Sequence, residues 1–385
     1  MKKFFMFAAM ASVALASCVK NEGPVVSTND QDVIVFATPV VGNATKGAEI
    51  RGTVFPTTAD FDIYAYYHVG NFNGTGETYM NEVECDYVSG NVDDDAGEGT
   101  WKNVNDLYYW PKNGKLTFIA ASPSESAVDQ TACAYTIEST SNTLTLGYTS
   151  PKAVADTAKQ VDLLYSDWAV DRVASTHESN TTYDGAELVF NHALSVVRLN
   201  IQAKDKASSD AIRLSYLAIE DINEKGTFTS TWNTAGTTAD WEYTAPVADY
   251  VIVNDTSADA DTEASTAVLT YPLNAGETNY SKYANYILMP QTFSVDAGTA
   301  EAPNAQIKIE YWIKNGTKWT KQQHIYNLAD AANKDSKNNP VKEWKESTRY
   351  TYNITIGVDE VYFAPVIKAD WTDVEVNYDN EARQE

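Results

Sequence analysis

The sequence predicts an all-β fold built of β-sandwiches, and three observations predict it. The 385 residues include 24 Tyr, 12 Phe and 9 Trp beside many Thr, Val and Ile, the residue types that suit a pleated, half-buried surface. Short apolar or alternating runs recur from Val33 onward, separated by turn clusters such as Gly70-Asn71-Phe72-Asn73-Gly74 and Lys112-Asn113-Gly114. Helical periodicity is confined to 152–164 and 325–332, so the runs are not joined by the crossover helices of βαβ units.

The N-terminus reads as an export signal. Lys2 and Lys3 precede eleven uncharged residues, Phe4 to Ala14, too few to span a bilayer as a helix. Leu15-Ala16-Ser17-Cys18 then resembles a bacterial lipobox, which makes 1–17 a lipoprotein signal peptide and Cys18 the lipidation site. Several acyl chains on Cys18, at roughly 0.8 kcal/mol per buried methylene, would hold the protein to outer-membrane lipid. Residues 18–32 contain Gly, Pro, Ser and Asn without an apolar period and read as a flexible tether. With 28 Lys+Arg against 53 Asp+Glu, a net charge of −25 excludes nucleic acid as a partner, because phosphate repels so many carboxylates.

The remaining chain divides near residue 187, after a polar stretch, into sandwiches over 33–186 and 187–385. Candidate strands are 33–37, 61–67, 116–121, 188–190, 194–201, 214–219, 268–271, 286–289, 307–313, 349–356, 361–367 and 371–378. Phe61-Asp62-Ile63-Tyr64-Ala65-Tyr66 alternates as a strand with one buried face should.

Motifs for catalysis are missing. The chain has no GxSxG elbow, GxxxxGK[ST] loop, HExxH pair or GxGxxG turn, so no catalytic residue and no cofactor is assigned. The four His (68, 177, 192 and 324) are scattered and no CxxC occurs, so no metal site is assigned. Asp93-Asp94-Asp95 misses the spacing of a calcium loop and reads as an acidic turn. Cys85 and Cys133 form either a disulfide, which an exported protein permits, or two buried thiols. Trp101, Tyr108, Tyr109 and Trp110 either fill a core or form a sugar-stacking platform. His192 reads as a hydrogen-bonded structural residue.

Several local motifs then point one way. They are Trp110-Pro111-Lys112-Asn113-Gly114-Lys115-Leu116-Thr117-Phe118, Asp162-Leu163-Leu164-Tyr165, Phe190-Asn191-His192-Ala193-Leu194, Tyr286-Ile287-Leu288-Met289-Pro290-Gln291 and Trp344-Lys345-Glu346-Ser347-Thr348-Arg349-Tyr350. With the lipobox, their order resembles the fimbrillin family of lipoprotein-derived type V pilins. The resemblance implies two tandem transthyretin-like β-sandwiches, no enzymatic activity, and export as an outer-membrane lipoprotein to the cell surface. It implies assembly with other pilin subunits into an adhesive fimbrium after a processing protease removes the first strand. That strand is 33–37, and the cleaved residue is Arg51, or Lys46 as the competing site. The competing function is a surface-anchored glycan-binding lipoprotein.

A donor strand for the neighbouring subunit is expected at 365–379. Thr372, Val374, Val376 and Tyr378 share one face there, with Asp373, Glu375 and Asn377 on the other, the period-2 pattern of a strand with one face to bury. An edge strand of the second sandwich has the same pattern.

Overall fold

The computed structural model describes residues 33–41 and 55–368, apart from 90–98, 104, 132, 151–159, 175–184, 245–246, 263–267, 273–280, 297–298, 300–301, 331–333, 335–339 and 360. It is nearly all β. The first half contributes β1 (Val40–Val41), β2 (Phe61–His68), β3 (Glu77–Val88), β4 (Thr100–Lys102), β5 (Lys115–Ser122), β6 (Tyr135–Thr140), β7 (Thr143–Thr149), β8 (Leu164–Ser166), β9 (Ala169–Arg172) and β10 (Val189–His192). The second half contributes β11 (Ser195–Ala203), α1 (Lys206–Ala211), β12 (Ile212–Asn223), β13 (Lys225–Asn233), β14 (Gly236–Tyr243), β15 (Val247–Asn254), β16 (Ser281–Leu288), β17 (Gln291–Thr292), β18 (Gln306–Asn315), β19 (Lys318–Asn327), β20 (Glu343–Trp344), β21 (Arg349–Ile356) and β22 (Val361–Lys368).

The first sheet has the order β1-β10-β8-β5-β2-β3-β4, with β9 also on β5. Both of its faces are covered, which corrects the one-faced reading of 61–66. Every residue of β2 is buried. Phe61, Ile63 and Ala65 enter one core with Leu116, Phe118, Trp101 and Phe190, while Tyr64 and Tyr66 enter another with Ile119, Leu144, Leu146 and Phe228. Asp62 interrupts the apolar run, so the pattern imitates alternation although both sides are inside.

The second sheet is β14-β13-β7-β6, and it joins the two halves of the chain. The β13–β14 hairpin lies past residue 187, yet β13 pairs antiparallel with β7 from Lys225↔Thr149 to Thr231↔Thr143. Likewise β10 lies beyond that boundary and pairs with β8. The chain changes sheets between His192 and Ser195 instead. There β11 enters β16-β11-β21-β22, which packs on β15-β12-β18-β19 around Leu199, Ile201, Leu217, Ile219, Ile307, Ile309 and Ile354.

The junction is polar at its centre. His192 Nδ1 lies 2.9 Å from Asp162 Oδ1 with both side chains buried, and the Ser347 hydroxyl donates to the His192 carbonyl at 3.1 Å. The Trp241 indole N–H donates to the Ala193 carbonyl at 2.8 Å, and the Ile287 N–H donates to the Gln160 side chain. A buried histidine with these contacts is structural, as the sequence suggests.

One helical expectation changes: Ile325 to Asn327 belong to β19, whereas the described α-helix is α1, where the Asp205 carboxylate caps the Ser208 N–H at 2.7 Å. The other, 152–164, lies mostly outside the described residues, and its last residue, Leu164, opens β8. Of the candidate strands, 268–271 forms a single bridge, Val268 to Arg213.

Asp62 makes stability depend on pH. Burial pushes its carboxyl up to about 6; hydrogen bonds from the Glu125 N–H and Ser124 pull the other way, and the charges of Glu82 and Glu84 add to the rise. The unfolded value is about 3.9. The native state therefore binds more protons between these values, and stability falls as pH rises from about 4 to about 6. Asp62→Asn keeps the acceptor for Glu125 and removes the charge. We expect it to be more stable than the wild type above pH 6 by on the order of 1–2 kcal/mol, allowing for screening, with the gap closing near pH 4 in thermal melts. Parallel pH profiles for the two proteins would contradict this.

Candidate functional site

The first sheet is closed along its length by a segment that belongs to no regular strand until its end. Residues 33–41 run between the β4 edge and the β10 edge. Phe36 bridges Trp101 antiparallel on one side and Ala186 parallel on the other. Backbone bonds hold both seams: Ile34 N–H donates to the Tyr108 carbonyl at 2.7 Å, and Phe36 and Trp101 exchange bonds of 2.8 and 2.9 Å. On the other side Ala186 N–H donates to the Val35 carbonyl at 2.8 Å, and Ala37 N–H to the Ala186 carbonyl at 3.1 Å. β1 then continues parallel to β10, Val40 opposite Val189 and Val41 opposite Phe190.

From Val33 to Ala37 every second side chain points into the core, and after the exposed Thr38 the pattern resumes at Pro39 and Val41. Ile34, Phe36 and Val41 are buried, Phe36 and Val41 completely. The Phe36 ring stands edge-on to Phe61 and Phe118, with centroids 5.7 and 5.5 Å away, the arrangement that aromatic quadrupoles favour. Phe55, Trp101 and Phe190 complete the wall, with Phe55 5.0 Å from Trp101 and 5.1 Å from Phe190. Burying three such side chains contributes roughly 5–9 kcal/mol before ordering costs.

Gly185 shows how closely the segment is held. Its φ is +99°, and a Cβ there would lie 2.5 Å from the Ala37 nitrogen and 2.7 Å from the Val35 oxygen. Only glycine leaves room for a backbone at that distance. The sequence marks Trp101 and Phe190 but not Gly185 or Phe55; the readable signals for these two are a glycine after Tyr183-Asp184 and an apolar Phe55 downstream of the basic loop.

The expected site residues fall as follows. Cys18, Lys46, Arg51, Thr372, Val374, Val376 and Tyr378 lie outside the described residues, as does Asp93-Asp94-Asp95. Pro365 to Lys368, the start of the expected donor strand, belong to β22, an edge strand pairing with β21 from Arg349↔Lys368 to Ile356↔Val361. Cys85 and Cys133 are both free and buried. They belong to cores on opposite faces of the first sheet, which removes the disulfide alternative. Burial pushes both thiols up, Cys133 to about 11, so neither is an activated nucleophile.

The sugar-platform alternative loses its two indoles. Trp101 and Trp110 are buried in the first core, and Trp110 stands edge-on to Phe118 at 5.7 Å. Rings with no exposed face cannot stack on a sugar. Among the described residues no group of three or more His, Cys, Asp or Glu could hold a metal ion, and no helix is long and apolar enough to cross a membrane.

One solved structure shares this fold. A solved fimbrial protein from Bacteroides vulgatus ATCC 8482 superposes with a TM-score of 0.57 at 16% identity, covering 89% of this chain and 100% of that one. The tip fimbrial protein Mfa3 from Porphyromonas gingivalis, with a C-terminal truncation, matches with a TM-score of 0.38 at 10% identity, covering 87% of this chain and 99% of that one. No curated protein sequence matches. The family model described as fimbrillin-like matches residues 52–371, from just past the basic loop to the end of β22 and beyond, and the chain belongs to the fimbrillin-like family.

Proposed function

We propose that the chain is a pilin exported as a lipoprotein on Cys18 and assembled by strand exchange once residues 33–41 are cut away. Membership of a fimbrial family makes it a surface fimbrial subunit that assembles with others of its kind. The finer reading rests on one observation, the slot that residues 33–41 fill. The segment contributes both seams and three buried side chains, yet it is joined to the fold only through the chain N-terminal to Phe55. Cleavage after Arg51 would free it together with the lipid and leave the backbone groups of Trp101, Ala186, Leu188 and Tyr108 unpaired. An extended strand from a neighbouring subunit would satisfy most of those groups and refill the core, which is β-augmentation. Each subunit gives a strand to one neighbour and takes one from another, so the contact is heterologous and open-ended and yields a fibre rather than a ring.

Processing gives the test. N-terminal sequencing of surface-assembled protein should begin at Gly52, or at Gly47 if Lys46 is used. The double variant Lys46→Ala, Arg51→Ala should stay membrane-bound and unassembled, and Cys18→Ala should lose its acyl mass and its membrane association. Assembled protein that still begins at Cys18 would contradict exchange at this slot.

A further inference from the structure

We infer that the slot selects its incoming strand by one aromatic pocket, and that the residue filling it is Tyr378 of a second copy, with Val376 in the place of Ile34. The inference rests on the strand-exchange reading above and adds the partner's register and direction.

Between Val33 and Ala37 the slot takes side chains at alternate positions, and those positions differ in size. Ile34 is β-branched and Phe36, two residues on, is a planar ring between Phe61 and Phe118. The incoming strand must therefore offer a β-branched residue and then an aromatic at i+2. In the chain beyond β22 that order occurs once, at Val376-Asn377-Tyr378. Read in the same direction as residues 33–41, parallel to 186–190, this register places Glu375, Asn377 and Asp379 where Val33, Val35 and Ala37 are only half-buried. Polar residues face outward and apolar residues inward, as the slot requires. From Lys368 to Tyr378 the chain can span about 33–36 Å when extended, enough to leave its own subunit.

A second observation favours tyrosine over phenylalanine. Trp101 is fully buried, and its indole N–H has no hydrogen-bond partner among the described residues. Phe36 and Trp101 exchange both backbone bonds, so their side chains leave the ladder as neighbours on one face. Phe36 has no acceptor to offer that donor, whereas a tyrosine in its place carries one in the Tyr378 hydroxyl. The same register sets Glu381 and Arg383 at the buried positions of Pro39 and Val41, so the exchanged strand ends at Asp379 and leaves the β1 rung on β10 unfilled.

The test uses the full chain carrying Tyr378→Ala, so that its own tail is a poor donor, cleaved after Arg51 and titrated with fluorescent peptides. A peptide of residues 33–41 is the control for an open slot. A peptide of residues 369–380 should bind, Tyr378→Phe in it should weaken binding about 5-fold, and Tyr378→Ala about 100-fold. Extending the peptide to residue 385 should change nothing. If the control binds but the tail peptide does not, or if Tyr378→Ala costs less than about 3-fold, the assignment of the pocket is overturned while the exchange reading stands. If neither peptide binds, both fall.

Discussion

Replacing Phe36 by alanine lowers the unfolding free energy of the uncleaved chain by about 3–5 kcal/mol, the cost of emptying a fully buried aromatic site. The loss combines the transfer term with the two edge-on contacts to Phe61 and Phe118, because a wall made of large rings collapses poorly onto a methyl group. Urea unfolding of the first core measures it. The same substitution should have no effect on a chain already cleaved after Arg51, since residue 36 is then gone. A cost below about 1 kcal/mol in the uncleaved chain would mean that the segment covers the core without filling it, and that its loss opens nothing worth refilling.

His192→Ala or Asp162→Ala each destabilises the protein by about 3 kcal/mol, because either leaves a buried polar group without the partner that holds it 2.9 Å away. The two costs should not add. In a double-mutant cycle the pair should couple by at least about 1.5 kcal/mol, since the second substitution removes a group that has already lost its contact across the pair. The loss should reach both halves of the chain, because Ser347 and Ala193 tie this site to the second pair of sheets and to Trp241 of the β13–β14 hairpin. Separate melting of the two halves in the wild type would contradict that coupling.

Four of the five motifs that carry the family resemblance meet at this junction. Asp162 comes from one, His192 and Ala193 from a second, Ile287 from a third and Ser347 from a fourth. Each is short and uninformative alone, because what joins them is a contact between positions 30 to 155 residues apart. The long apolar strands β11, β12, β18 and β21 were legible as alternating or apolar runs. β7, β13 and β14 were not: Thr143-Leu144-Thr145-Leu146 is short, and Thr and Ser recur through β13 and into β14, a hairpin whose burial comes from a sheet in the other half. The boundary near 187 failed to separate the sheets for the same reason. Local polarity marks where a loop is, and β10 and the hairpin cross it through pairing that no local signal encodes. Of the candidate site, 33–37 was legible as an apolar run; that it closes two sheet edges at once depends on Trp101 and Ala186, which are distant in the sequence.

Removing residues 33–41 should convert a closed subunit into one that polymerises. Electron microscopy of the purified chain before and after limited tryptic cleavage measures this most directly. Isolated particles are expected before cleavage and fibres after it, with none from the Lys46→Ala, Arg51→Ala variant under the same treatment. Fibres from the uncleaved chain, or cleaved protein with Gly52 at its N-terminus that remains monomeric, would contradict it.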